Sequence, residues 1–132
     1  MSDFNSAAAT DWLRSHASAT SSGACATHVR AALHEGGIDI PPVPARNYAK
    51  NYGPLLVEQG FVELSVSEQQ LPMRGDIAVI QPYAGGNIAG HITMYTGHRW
   101  MSDFRQTDMW SGPGYRKHKP SFKVYRWRGA QQ

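Results

Sequence analysis

An α+β fold, with helices first and an antiparallel sheet after them, follows from three features of the 132-residue sequence. Apolar residues at helical spacing are confined to the first half of the chain. From Arg74 onward, short apolar runs and strand alternation take over. Thirteen Gly and eight Pro punctuate the segments between. Helices and strands segregated in this way define the α+β class. The length fits one domain, 1–132, with its own core.

The first helix is expected over residues 6–18, with Trp12 and Leu13 as its buried side. The small polar residues from Ser18 to Gly23 interrupt it. A second helix runs from Ala24 to Leu33, with Cys25, Val29, Ala32 and Leu33 near one face. Ser21 or Ser22 can serve as its N-cap, and Gly36-Gly37 stops it. Ile38 to Pro44 is an extended connector, because three prolines exclude a helix interior. A shorter helical stretch is expected from about Ala45 to Gln59, split at Gly53-Pro54.

Phe61 to Val66 alternates as a strand, and Glu68 to Met73 reads as a loop. Arg74-Gly75-Asp76 turns into Ile77-Ala78-Val79-Ile80. That run is apolar on both faces, as a central strand is. Tyr83 to Asn87 is a turn. Gly90 to Thr96 and Trp100 to Gln106 form a hairpin around Gly97-His98-Arg99, and Phe122 to Trp127 closes the sheet.

The formal charge is +3. No acidic residue follows Asp108, while Arg116, Lys117, Lys119, Lys123, Arg126 and Arg128 crowd the C-terminus. A basic end can contact nucleic acid, anionic lipid or an anionic cell-wall polymer, but a solvated strand face is the favoured reading. No RRM, zinc-finger or helix-turn-helix signature is present, so nucleic acid is not an expected partner. A single cysteine excludes an internal disulfide and a Cys-based zinc site. No metal or cofactor is expected, for H-E-x-x-H, P-loop and dinucleotide fingerprints are all missing. The N-terminus carries no Sec-type signal and no apolar span, so synthesis in the cytoplasm without membrane insertion is expected.

Cys25 is the residue with the most chemical content. A lone cysteine among alanines can be an inert core residue. At a helix start, however, unpaired N–H groups and the helix dipole favour thiolate, so a lowered thiol pKa is expected. A cysteine nucleophile needs a base and a group that orients the base. Of six histidines, His91 stands out, because it opens a strand directly after Gly90. Strand alternation places His91, Thr93 and Tyr95 on one face. With a three-residue hairpin loop, Thr96 pairs with Trp100 and Asp103 becomes the diagonal neighbour of His91. A two-residue turn would move Asp103 to the other face, so the catalytic reading demands an odd-numbered loop. Trp12, Tyr48, Trp110 and Tyr115 are candidate cleft walls, more readily explained as core.

Four stretches, in order, carry a resemblance: the Ser-x-Gly-x-Cys-Ala helix start at 21–26, Arg-Gly-Asp-Ile-Ala-Val-Ile at 74–80, Gly-His-Ile-Thr-Met-Tyr-Thr-Gly at 90–97, and Trp-Met-Ser-Asp-Phe-Arg-Gln at 100–106. Together they resemble the NlpC/P60 and CHAP superfamily of papain-like cysteine peptidases, most of all the compact amidase effectors of bacterial type VI secretion. The resemblance implies a papain-like fold with N-terminal helices packed on an antiparallel sheet. It implies hydrolysis of amide bonds in peptidoglycan stem peptides, with Cys25 as nucleophile, His91 as base and Asp103 as the third polar residue. That third residue varies among His, Asp, Glu and Asn in the superfamily. Delivery to a target periplasm and a cognate immunity protein are further implications. A phage CHAP-type endolysin, and a cysteine acyltransferase or deamidase on the same scaffold, are the alternatives.

Overall fold

The computed structural model describes residues 3–20, 23–40 and 48–128. Eleven-residue helix α1 (Ser6–His16) starts at Asn5, whose side chain accepts from the Ala8 N–H. Asn is a favoured N-cap because its side-chain oxygen satisfies an orphan donor of the first turn. Helix α2 (Cys25–Glu35) ends at Gly36, as the Gly-Gly pair predicts. The expected caps Ser21 and Ser22, and the prolines of the 41–44 connector, lie outside the described residues. The N-cap of α2 is Ala24, which has no capping side chain of its own.

A 3-10 turn, Ala49–Asn51, leads directly into α3 (Tyr52–Gln59). Pro54 does not split this helix. It sits in the first turn, where an N–H would have no intrahelical acceptor, so its missing donor costs nothing. Strand β1 is short, Phe61–Glu63. The expected loop after it contains one helical turn, α4 (Val66–Gln69), closed by a Ser65/Glu68 capping box.

Strands β2 (Ile77–Ile80), β3 (His91–Tyr95), β4 (Trp100–Met101) and β5 (Phe122–Trp127) complete a five-stranded sheet of order β1-β5-β2-β3-β4. Every pairing is antiparallel. Strand β2 is central, as its unbroken apolar run predicts. β5 does not close an edge; it lies between β1 and β2. Helix α5 (Pro113–His118), unforeseen from residue spacing, bridges β4 and β5 with Pro113 in its first turn.

Alternation divides the core. Ile77, Val79, Ile92 and Met94 face α1 and α2 and meet Leu13, Val29 and Leu33, all nearly inaccessible to solvent. Ala78 and Val124 pack with Leu64, Trp100, Met109 and Phe122 in a second cluster. Asp76, from the Arg-Gly-Asp turn, is buried in a bidentate pair with Arg126, at 2.9 and 2.8 Å. The basic C-terminal stretch is therefore partly neutralised, since Lys123 also pairs with Glu63 and Arg116 with Asp108.

Candidate active site

Helix α2 packs on β3, which brings the helix start to the head of that strand. Cys25 is the first residue of the helix and His91 the first residue of the strand. Both line one cleft of about 320 Å³. Its other walls are mostly small and uncharged, including Ala24, Ala49, Ala89 and Ser111, and Tyr115 also lines it. A larger hollow of about 470 Å³ lies along α2 beside Trp12 and His34, and contains no nucleophile.

Gly90 sets the entry of His91. Its φ of +70° lies in the left-handed region, and a Cβ there would collide with the Ile80 carbonyl oxygen. Only glycine turns the chain into the strand so close to its partner. His91 then pairs with Ile80 and is 5% exposed.

A hydrogen-bond inventory fixes the histidine tautomer. His91 Nε2 lies 2.8 Å from Gln106 Oε1. The Gln106 amide NH₂ donates to the carbonyls of Asp108 at 2.9 Å and Met109 at 3.1 Å. That orients the amide oxygen toward the ring, and an amide oxygen only accepts. Nε2 therefore carries the proton, and Nδ1 of the neutral ring holds a lone pair. The Ser102 hydroxyl stands 2.9 Å from Gln106 Oε1 and 3.1 Å from Asp103 Oδ1, linking the two side chains.

Asp103 is fully buried and reaches the site by a route other than the expected one. Tyr95 pairs with Trp100, so the hairpin loop is the four residues 96–99, an even number. The Thr96 hydroxyl accepts from the N–H groups of His98 and Arg99, which stabilises this longer loop. Strand β4 also stops at Met101, and the chain reverses so that Met101 bridges to Arg105. The diagonal pairing of Asp103 with His91 across a hairpin is thus replaced by a turn that carries Asp103 inward. There Oδ2 accepts from the Ala24 N–H at 3.2 Å. The carboxylate thus lies at the N-terminus of α2, bonded to the N–H of the residue before its first turn, where the helix dipole favours it.

Burial pushes the Cys25 thiol up from its ordinary value. An N–H donor from Ile92 opposes this, the charge of Asp103 adds to it, and N–H groups of Ala26 and Cys25 oppose it further. The expected lowering is reversed because desolvation and a nearby carboxylate outweigh the helix start. Burial lowers His91, against the Gln106 hydrogen bond and the Asp103 charge, which raise it. Both shifts favour a neutral thiol beside a neutral imidazole.

The other histidines lie elsewhere. His16 ends α1 against Trp12, His28 bonds the Ala24 carbonyl, His34 meets Asp39, His98 is exposed in the hairpin, and His118 stacks on Tyr83. Of the four candidate aromatic walls, Tyr115 lines the cleft; Trp110 packs on Phe122 and Tyr48 lies under Lys50. Gln106 went unremarked in the sequence, where it is one polar residue at the end of an expected strand. Among the described residues, no group of three His, Cys, Asp or Glu could hold a metal ion. Nor is any described helix long and apolar enough to cross a membrane.

The fold and cleft describe a small α+β protein with a thiol and an imidazole at the junction of a helix start and a strand start. No family model matches the chain, and no curated protein matches it. Solved structures similar to it include two of a type VI effector–immunity complex. One is the type VI native effector–immunity complex Tae3–Tai3 from Ralstonia pickettii, with 38% identity, a TM-score of 0.84, and coverage of 95% of this chain and 100% of that chain. The other is the selenomethionine form of the same type VI effector–immunity complex, with 39% identity, a TM-score of 0.79, and coverage of 89% and 98%. At this identity over nearly the full length of both chains, the protein belongs to the Tae3 family of type VI effectors.

Proposed function

We propose that this chain is a cysteine amidase that hydrolyses amide bonds in peptidoglycan stem peptides, acting as a single domain on the papain-like NlpC/P60 plan. Membership of a type VI effector family supports the class of target. The observation that carries the chemistry is the shared cleft of Cys25 and His91, with Gln106 holding the ring proton on Nε2. The mostly small, uncharged wall suits a peptide rich in small side chains.

In this reading His91 Nδ1 takes the Cys25 proton as the sulfur adds to the scissile carbonyl carbon. The carbonyl π pair moves to oxygen, beside the N–H groups of the α2 first turn. When the oxyanion collapses, the C–N bond breaks and His91 returns the proton to the leaving amine. Water then loses a proton to His91 and adds to the acyl carbon; the C–S bond breaks, His91 returns that proton to sulfur, and the acid leaves. Asp103 holds the nucleophile's helix and favours the imidazolium formed in each step. The chain acts in the periplasm of a target cell after type VI delivery, and a cognate immunity protein protects the producer. The relatives' structures are effector–immunity complexes, which supports that partner.

The test is a digest of purified muropeptides followed by mass spectrometry, with Cys25→Ala alongside. Cleaved stem peptides with the native chain and none with the variant are expected. Intact muropeptides with the native chain, or equal cleavage by the variant, would remove this reading.

A further inference from the structure

Tyr115 is the one large aromatic residue on the cleft wall, and neither the candidate nucleophile–base pair nor its orienting groups use it. The residue is 9% exposed, with its ring centroid 6.0 Å from that of His91. Among the described residues its hydroxyl has no hydrogen-bond partner, and it is not one of the sealed polar atoms that lack one. An immobile ring therefore presents an open O–H donor to the space beside the thiol.

The ring is held from several sides. Tyr83 meets it edge-on, with centroids 4.9 Å apart at 85°, and Tyr83 itself stacks on His118 at 4.7 Å. Gly114 lies so close to the Tyr83 hydroxyl that a Cβ would collide with it. Arg116, the next residue on α5, donates from Nε to Asp108 Oδ2 at 3.0 Å. Asp108 also supplies one of the carbonyls that orient Gln106. The segment that sets the histidine tautomer thus also anchors the helix that carries Tyr115.

We propose that the Tyr115 hydroxyl, together with the backbone N–H of Cys25, holds the oxyanion formed when the Cys25 sulfur adds to the scissile carbonyl. This rests on the amidase reading above. Such a site is built from preorganised donors, backbone and side-chain, and the first turn of α2 supplies the backbone N–H of Cys25. No proton is transferred in this role: the proton from sulfur goes to His91, and the phenol donates a hydrogen bond while keeping its own. Burial, with smaller contributions from Cys25 and Tyr83, pushes the Tyr115 pKa up to about 12. The phenol is therefore protonated throughout any working pH. Ser111, in a loop beside Gly112, and Thr27, in the first turn of α2, are further hydroxyls on the wall; Tyr115 is the one whose ring packs against His91 and Tyr83.

Tyr115→Phe keeps the ring and removes only the donor. On purified muropeptides kcat should fall about 100- to 1000-fold, the usual loss of one oxyanion donor, with KM changed by less than about threefold. Alkylation of Cys25 by iodoacetamide at pH 9 needs no oxyanion and should proceed at the native rate. A fall in kcat of less than tenfold for Tyr115→Phe overturns the proposal, as does a parallel loss of alkylation, which would mark a structural role. If Cys25→Ala is inactive while Tyr115→Phe is not, only the assignment of Tyr115 fails. If Cys25→Ala remains active, the amidase reading fails and this assignment with it.

Discussion

Gln106 Oε1 accepts a hydrogen bond from His91 Nε2–H at 2.8 Å, and the amide is held in that orientation because its NH₂ donates to the Asp108 and Met109 carbonyls. A side chain with no charge thereby selects the tautomer that leaves Nδ1 free. In a cleft where burial lowers the His91 pKa, this neutral partner keeps the ring available as a base.

Gln106→Leu should lower kcat by roughly 10- to 100-fold, the range found when a group orienting a functional histidine is lost. Nitrogen chemical shifts of His91 should show mixed tautomers in the variant and one in the native chain. Gln106→Glu places an anion on the same ring nitrogen and favours imidazolium. The acid limb of the activity profile should move to higher pH. A shift to lower pH would contradict the assigned contact.

Thiol reactivity reports the resting state of the pair. Burial holds the Cys25 thiol above its ordinary value, so the neutral thiol predominates near neutral pH. The rate of iodoacetamide alkylation should keep climbing past pH 9. A plateau beginning below pH 6 would instead mark a standing thiolate–imidazolium pair and refute the neutral one.

Asp103→Asn keeps an oxygen for the Ala24 N–H and removes the charge. That charge raises both Cys25 and His91, so both pKa values should fall. Alkylation at pH 8 should become severalfold faster, while the acid limb of activity moves to lower pH. Slower alkylation would mean that the carboxylate does not oppose the thiolate.

Gly90→Ala forces a left-handed φ on a residue with a Cβ and drives that Cβ into the Ile80 carbonyl. A cost of at least about 2 kcal/mol is expected. Thermal unfolding should begin roughly 5–15 °C lower. An unchanged midpoint would show that the entry to β3 is looser than the structure implies.

Asp76→Ala leaves the Arg126 guanidinium buried without its carboxylate, and should cost about 3–5 kcal/mol. Replacing both, as Asp76→Leu with Arg126→Met, should cost less than the single change, because no charge is left uncompensated. Denaturant midpoints of the two variants measure the difference.

Several elements were legible from residues alone. The α1 and α2 spacing, the Gly36-Gly37 stop, the central run of β2 and the face shared by His91 and Thr93 depend on local periodicity, which the folded chain keeps. The hairpin register was not legible. Gly97 signals a turn, but whether Thr96 ends a strand or enters the loop depends on its hydroxyl accepting from His98 and Arg99. One residue of register would have reversed the face of Asp103, had the strand continued. It does not continue, because the reversal at 102–105 is held by the 17–18 segment, where Ser18 exchanges backbone bonds with Asp103 and Arg105.

Periodicity and the order of motifs therefore determined the class, the helix start that carries Cys25 and the strand start that carries His91. Tertiary structure alone decided what surrounds them. Gln106 orients the ring through two backbone carbonyls that no residue pattern encodes. Asp103 caps a helix 79 positions away in the chain. The thiol is raised and not lowered, because burial and a neighbouring charge are properties of the packed cleft and not of a helix start.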